Sequence, residues 1–143
     1  MNAVIDTTLC VSPADVADSQ RRHLSQLSDA KRKSALGQFL TPVKIARFMA
    51  SMFTSIDNHI NLIDPGAGVG VLSAAFIEDV VDTSLVESIH ITCVEYDNVI
   101  YDQLDSTLQC ARALCESAGI RFSSEIVEAD FIKWGIDTFQ LDA

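Results

Sequence analysis

The sequence predicts an α/β fold in which a largely parallel β-sheet carries helices on both faces. Two observations support this class. Strand-like segments alternate with helical segments along most of the chain, and a glycine-rich turn follows the first of these strands. The 143 residues are 48% hydrophobic, which is sufficient for the core of a single domain.

A helical segment is expected before the first strand. Ser12 followed by Pro13 is typical of a helix start. The apolar residues of this helix share one side, at Val16, Leu24 and Leu27. Gly37 is expected to close the segment, so residues 1–36 are assigned to an N-terminal helical region and residues 37–143 to the α/β domain.

A second helix is expected to begin at Thr41 and Pro42, with Thr41 as its N-cap. Its apolar positions follow helical spacing, at Ile45, Ala46, Met49 and Phe53.

The alternating part of the chain begins with the short strand "NLID" (61–64), and a helix follows over residues 71–81. In "SIHITCVEY" (88–96), apolar and polar residues alternate as in a strand. A long helix over residues 98–118 is expected to end at Gly119. The segment "RFSSEIVEAD" (121–130) predicts a third strand, and "FQLDA" (139–143) the beginning of a fourth.

Composition narrows the functional classes. The four cysteines, Cys10, Cys93, Cys110 and Cys115, lack C-x-x-C spacing and a nearby ligand histidine, so neither a metal site nor a disulfide framework is indicated. The N-terminus does not read as a signal peptide, and no apolar run approaches the roughly 20 residues that cross a bilayer. We therefore expect a soluble, cytoplasmic protein without a membrane partner.

Charge is distributed unevenly along the chain. The formal net charge is −10, yet seven of the ten basic residues fall between positions 21 and 47. They are Arg21, Arg22, Lys31, Arg32, Lys33, Lys44 and Arg47. This stretch is either the solvated face of a helix or an electropositive surface that contacts nucleic acid weakly.

Three carboxylates are expected at the carboxyl ends of the strands, where ligands bind in parallel sheets. Asp64 follows the first strand, Glu95 the second and Asp130 the third. Glu95 suits the hydroxyls of a ribose, whereas Asp64 inside the glycine turn would repel a pyrophosphate and attract a cationic ligand. Each carboxylate alone is more often structural, as a cap or a solvated strand end. Together with the turn, which has neither G-x-G-x-x-G nor G-K-[ST] spacing, they favour S-adenosylmethionine.

Four segments in this order carry a family resemblance: "GQFLTP" (37–42), "DPGAGVG" (64–70), "VEYD" (94–97) and "EADF" (128–131). The set resembles the N-terminal part of the catalytic domain of N6-adenine-specific DNA methyltransferases of restriction-modification systems, in the gamma order of motifs. The resemblance implies a Rossmann-like fold, S-adenosylmethionine as cofactor and double-stranded DNA as substrate of the complete protein.

The resemblance also implies roles for single residues. Phe39, Thr41 and Pro42 would wall the methionine end of the cofactor. The amino acid portion would be held by Asp64 and the turn, which comprises Pro65, Gly66, Ala67, Gly68 and Gly70. Glu95 would bind the ribose and Tyr96 would pack beside the adenine. Asp130 would accept from the adenine amino group, and Phe131 would face its ring; plain core packing is the other reading of both aromatic residues.

The family's catalytic signature, [N/D/S]-P-P-[Y/F], is expected beyond Ala143, so we assign no catalytic residue. We expect the 143 residues to be an inactive portion of a longer protein. This portion is expected to self-associate through its open sheet. Two alternatives stay open: a methyltransferase acting on protein glutamine or RNA, and a non-catalytic module that binds S-adenosylmethionine. The reading frame after Ala143 would discriminate between the enzyme, which would continue into an N-P-P-Y-type stretch, and the module, which would end there.

Overall fold

The computed structural model describes residues 11–27, 40–83 and 85–140. In chain order, the elements are α1 (Pro13–Leu27), α2 (Val43–Ala50), β1 (His59–Pro65), α3 (Val71–Val81), β2 (Ser88–Glu95), a 3-10 turn (Asn98–Ile100), α4 (Tyr101–Ser117), β3 (Arg121–Glu128) and α5 (Phe131–Phe139). Among these residues, no helix is both long and apolar enough to span a membrane.

The three strands form one parallel sheet in the order β1-β2-β3. The register pairs Asp64 with Cys93 and Glu95 with Glu128, so the carboxyl ends of all three strands lie at the same edge. The predicted parallel sheet is therefore confirmed. The alternation in β2 holds only in its first half: Ile89 and Ile91 are fully buried whereas His90 is partly exposed, but residues 92–95 are all buried.

The core lies between the sheet and the helices α1, α3 and α4, which pack on one another. Helix α3 is buried on most of its surface because seven of its eleven residues are in the core. Its central Ile77 and the facing Leu104 of α4 have no exposed surface. Burial of side chains of this size contributes about 1.5–3 kcal/mol each, so these contacts fix the position of the turn that precedes α3.

Helix α1 begins as predicted, because Ser12 Oγ accepts a hydrogen bond from the N–H of Asp15 at 3.1 Å. Its most deeply buried side, however, consists of Ala14, Ala17 and Asp18, while Val16 and Leu24 are only half-buried. Small residues allow α1 to approach α3 and α4 closely, which the spacing of larger apolar residues does not reveal. The side chain of Leu27 and the predicted end at Gly37 lie outside the description.

Helix α2 differs from its prediction at the N-terminus. Pro42, rather than Thr41, occupies the N-cap position, and no local side chain caps the helix. The first free N–H, that of Val43, instead donates to Asp18 Oδ1 on α1 at 3.1 Å. A proline has no side-chain acceptor, so the capping group comes from a neighbouring helix. The predicted capping role of Thr41 is therefore wrong.

The apolar face predicted for α2 is also largely wrong. Val43, Ala46 and Ala50 are buried, whereas Ile45, Met49 and Phe53 are 51%, 38% and 52% exposed. The buried face is the one that packs on α3. Phe53 lies beyond the helix end and packs edge-on against Phe76 of α3, with 4.9 Å between ring centroids.

The segment after β3 is helical where a strand was predicted to begin. Phe139 ends α5, and Gln140 adopts a left-handed conformation with φ of 52°, so the start of the predicted fourth strand is wrong. Residues 141–143 lie outside the description. Helix α5 carries a cluster of aromatic residues. The ring centroid of Trp134 lies 6.1 Å from that of Phe131 and 5.7 Å from that of Phe139. Trp134 therefore packs within the aromatic cluster of this helix.

Candidate functional site

Residues 66–70 form the turn between β1 and α3 and build the centre of the candidate site. Gly66, Gly68 and Gly70 have φ values of 69°, 58° and 82°, a backbone region that other residues enter at a cost. Only Gly66 has open space at the position of a missing Cβ. At Gly68 that position is 2.6 Å from Leu40 Cδ2, and at Gly70 it is 3.0 Å from Leu104. Side chains of the protein thus occupy the space beside Gly68 and Gly70, whereas a ligand can approach the backbone at Gly66.

The end of β2 holds the turn in place. The N–H groups of Gly66 and Ala67 both donate to the carbonyl oxygen of Val94, at 2.8 and 3.1 Å. The N–H of Gly68 donates to Glu95 Oε2 at 2.8 Å. The N–H groups of the three turn residues expected to hold the amino acid portion are therefore bonded within the chain.

Glu95 lies at the carboxyl end of β2 and is only 7% exposed. Its second oxygen, Oε1, accepts from the N–H of Asp97 at 2.9 Å. Each carboxylate oxygen can accept two hydrogen bonds, so each retains capacity for a ligand hydroxyl. The side chain predicted to bind a ribose therefore also holds the turn in its conformation.

Asp64 lies at the end of β1 and is 6% exposed. Burial raises its pKa, and the charge of Glu95 acts in the same direction, while hydrogen bonds from Ser73 oppose them. Ser73 Oγ donates to Asp64 Oδ2 at 2.5 Å. Beside this carboxyl, burial raises the pKa of the Cys93 thiol to about 12, so the thiol is neutral at physiological pH. A cationic group beside Asp64 would relieve the cost of its charge, which fits the ammonium and sulfonium of the predicted cofactor.

The end of β3 lies next to Glu95, whose carbonyl oxygen accepts from the N–H of Ala129 at 3.3 Å. Asp130 is exposed and caps α5, since its Oδ1 accepts from the N–H of Lys133 at 3.0 Å. Tyr96 and Phe131 are 67% and 38% exposed. Neither residue is therefore part of the buried core.

The residues before α2 lie against the turn. Thr41 is half-buried and Pro42 is exposed, while Phe39 lies outside the description. Leu40, which we did not predict, is the residue whose side chain fills the space above Gly68. Its signal in the sequence is its place inside "GQFLTP", but the contact itself joins segments 28 residues apart.

An apolar groove of about 440 Å³ adjoins the same site at the edge of β1 that faces away from β2. Met49, Met52 and Phe53 line one side and Ile63 and Phe76 another, and the groove reaches Asp64. The sequence did not predict this groove.

Comparisons with known proteins agree with this geometry. No family model matches the chain. The chain is 29% identical over 136 residues to the type II methyltransferase M.PstI of Providencia stuartii, a match that covers 95% of this chain and 27% of that protein. It is 34% identical over 106 residues to the type II methyltransferase M.BsuBI of Bacillus subtilis, covering 73% and 20%. The chain is thus similar to these type II methyltransferases over that part of their length.

The fold agrees with a solved structure described as a class I S-adenosylmethionine-dependent methyltransferase from Listeria monocytogenes. The TM-score is 0.56 at 13% identity, and the match covers 82% of this chain and 34% of that one. The predicted Rossmann-like α/β class is thus confirmed, and the predicted cofactor agrees with this fold and with the type II relatives. The chain spans only about a fifth to a quarter of the length of the curated relatives it matches.

Proposed function

We propose that residues 37–143 form the S-adenosylmethionine-binding part of a methyltransferase that modifies adenine N6 in duplex DNA. One observation carries the cofactor assignment: two buried carboxylates, Asp64 and Glu95, lie on either side of a glycine turn in which the N–H groups of all four glycine and alanine residues are already bonded. Such a turn offers few donors to a pyrophosphate, whereas the negative charge of the two carboxylates attracts a cationic ligand.

The chain's own residues would divide the work of binding. Glu95 would accept from the two ribose hydroxyls while keeping its bonds to the turn. Asp64 would pair with the ammonium group near Gly66, where the backbone is open. Tyr96 and Phe131 would hold the adenine ring between them, with Asp130 beside its amino group. When bound, S-adenosylmethionine supplies an electrophilic methyl group.

Adenine and DNA are proposed on the sequence motifs and on the type II relatives. "GQFLTP" upstream of the glycine turn resembles the adenine-modifying enzymes of the gamma order. Duplex DNA would be bound by the complete protein, with the target base flipped out of the stack.

Three of the four basic residues that the structure describes in the stretch 21–47 are paired with carboxylates and would contribute little to that contact. Arg21 and Arg22 pair with Asp18, and Arg47 pairs with Asp15 and Glu78. Their charge is largely neutralised within the chain, which favours the reading of this stretch as a helix surface.

We further propose that these 143 residues do not transfer methyl groups by themselves. The adenine amine is a poor nucleophile and needs acceptors and a stacked ring to hold it in line with the methyl group. The Pro-Pro pair of the family signature does not occur in the sequence. Asp130 and Phe131, which have the required chemistry, are assigned to the cofactor.

Self-association is proposed for the groove at the open edge of β1. Met52 and Phe53 expose 57% and 52% of their surface there. An apolar groove beside an unpaired strand edge favours contact with another chain.

Two experiments test the proposal. Titration calorimetry with S-adenosylhomocysteine and with NAD tests the cofactor, and tighter binding of NAD would overturn it. Sequencing of modified bases in a host with and without the gene tests the reaction. We expect N6-methyladenine in a specific duplex sequence; modification confined to cytosine or to RNA would contradict the adenine assignment.

A further inference from the structure

Asp18 on α1 is a buried carboxylate, 2% exposed, that joins two helices. Its Oδ1 accepts from Arg21 Nε at 2.8 Å and from the N–H of Val43 at 3.1 Å, and its Oδ2 accepts from Arg22 Nε at 2.7 Å. Burial acts to raise its pKa, but the hydrogen bonds from Arg21, Arg22 and Val43 outweigh burial and lower it. Asp18 is therefore held in its charged form at neutral pH.

The contact to Val43 does more than neutralise a charge, because α2 has no cap of its own. Pro42 at the N-cap offers no side-chain acceptor and has the extended backbone angles φ −64° and ψ 145°. Asp18 supplies the missing acceptor from 25 residues away. It thereby fixes where α2 begins relative to α1.

The start of α2 in turn determines the position of the segment above the glycine turn. Leu40, three residues before Val43, lies over Gly68, whose missing Cβ would be 2.6 Å from Leu40 Cδ2. Gly68 is the residue whose N–H Glu95 holds at 2.8 Å. These steps form a continuous path: Asp18 bonds to Val43, and the backbone links Val43 to Leu40. Leu40 then packs over Gly68, which bonds to Glu95.

We propose that Asp18 is a positioning residue for the cofactor site, acting by capping α2 so that Leu40 closes over the glycine turn. The inference rests on the proposed cofactor function. The competing reading is that Asp18 only stabilises α1 through its arginine partners. The two readings differ in whether the bond to Val43 or the charge of the carboxylate matters.

Four variants separate these readings. Asp18→Ala removes the acceptor and the charge, whereas Asp18→Asn retains an oxygen that can accept from Val43. Val43→Pro removes the N–H donor together with the buried valine side chain; proline is favoured at the first helical position, and Pro42 already has the conformation required before a proline. Asp15→Ala is the matched control, since Asp15 lies on the same helix, is exposed and pairs with Arg47.

The affinity for S-adenosylhomocysteine is measured by calorimetry at a temperature where each variant is folded by circular dichroism. We expect Asp18→Ala and Val43→Pro to weaken binding about fivefold or more, the loss of a helix cap, and Asp18→Asn and Asp15→Ala to stay within about twofold of the wild type. Equal losses for Asp18→Asn and Asp18→Ala, or wild-type affinity in Val43→Pro, would overturn the inference.

A second readout is independent of the cofactor. Nuclear Overhauser contacts between the Leu40 methyl groups and Gly68 should persist in Asp18→Asn and weaken in Asp18→Ala and Val43→Pro. If the wild type binds no S-adenosylhomocysteine, the proposed cofactor function is wrong, and these contacts alone decide whether Asp18 positions the segment. Unchanged contacts in Asp18→Ala would show that it does not.

Discussion

Replacing Glu95 with alanine should weaken both the fold and cofactor binding, because one carboxylate serves both. Its two oxygens accept from the N–H groups of Gly68 and Asp97 at 2.8 and 2.9 Å, in a site where Glu95 is 7% exposed. Alanine leaves both donors without a partner.

These contacts determine how much stability and how much binding energy the Glu95→Ala variant should lose. A buried donor left unsatisfied costs about 1–3 kcal/mol, and removal of a buried carboxylate offsets part of that loss. We therefore expect the free energy of unfolding to fall by about 2–4 kcal/mol. Loss of charge-assisted bonds to the two ribose hydroxyls should cost a further 1.5–3 kcal/mol or so of binding energy, which is about a 10- to 150-fold rise in Kd.

Urea denaturation gives the first quantity, and titration with S-adenosylhomocysteine under conditions where the variant is folded gives the second. Glu128→Ala is the matched control. Glu128 occupies the paired position on β3, is exposed and accepts a long bond from Asn98, at 3.4 Å. Glu95→Gln should fall between wild type and alanine, because an amide has one acceptor oxygen for the two donors.

Two results would refute this reasoning. A change in unfolding free energy below about 0.5 kcal/mol, as for an ordinary surface substitution, would mean that Glu95 does not hold the turn. An unchanged Kd in folded Glu95→Ala, or an equal loss in Glu128→Ala, would remove Glu95 from the cofactor site.

Four further predictions follow. Asp64→Asn should stabilise the fold at pH 7, because burial raises the pKa of Asp64 and its ionisation costs stability above that pKa. This gain over wild type should shrink as pH falls and the wild-type carboxyl takes up its proton, which denaturation at several pH values measures. The same substitution should lower cofactor affinity about tenfold, as measured by calorimetry. Gly68→Ala should cost more stability than Gly66→Ala, for which left-handed strain alone predicts about 1–2 kcal/mol, because only Gly68 has a side chain within contact distance. Equal costs in thermal denaturation would argue against that packing. Met52→Glu should reduce self-association in sedimentation velocity, whereas Leu85→Glu, at a residue 66% exposed and outside the groove, should not. The 143-residue chain should transfer no labelled methyl group from S-adenosylmethionine to mixed-sequence duplex DNA; turnover above an Asp64→Ala control would show that it contains catalytic residues.

Much of the architecture was readable from local sequence. The alternation at the start of β2 and the glycine turn before α3 are local patterns, because each is set by residues within its own segment. The helix predicted over residues 71–81 coincides with α3, and the carboxylates Asp64 and Glu95 were placed at adjacent strand ends by the parallel topology alone.

The errors occurred where the deciding partner is distant in sequence. Thr41 has the chemistry of a cap, but the capping group of α2 is Asp18, which only the packing of α1 brings near. Ile45 and Met49 have helical spacing, yet α2 buries its small residues because close packing on α3 favours Ala46 and Ala50.

The sequence by itself determined the order of strands and helices, the turn and the chemistry of the ligand that two carboxylates would attract. The tertiary structure alone decided which polar groups are already occupied. The family resemblance implies that Gly68 helps to hold the amino acid portion of the cofactor, but Leu40 fills the space beside Gly68, and the N–H of Gly68 is bonded to Glu95. The reason is physical: propensity and charge are properties of single residues, whereas hydrogen-bond satisfaction and close packing depend on groups that meet only when the chain is folded.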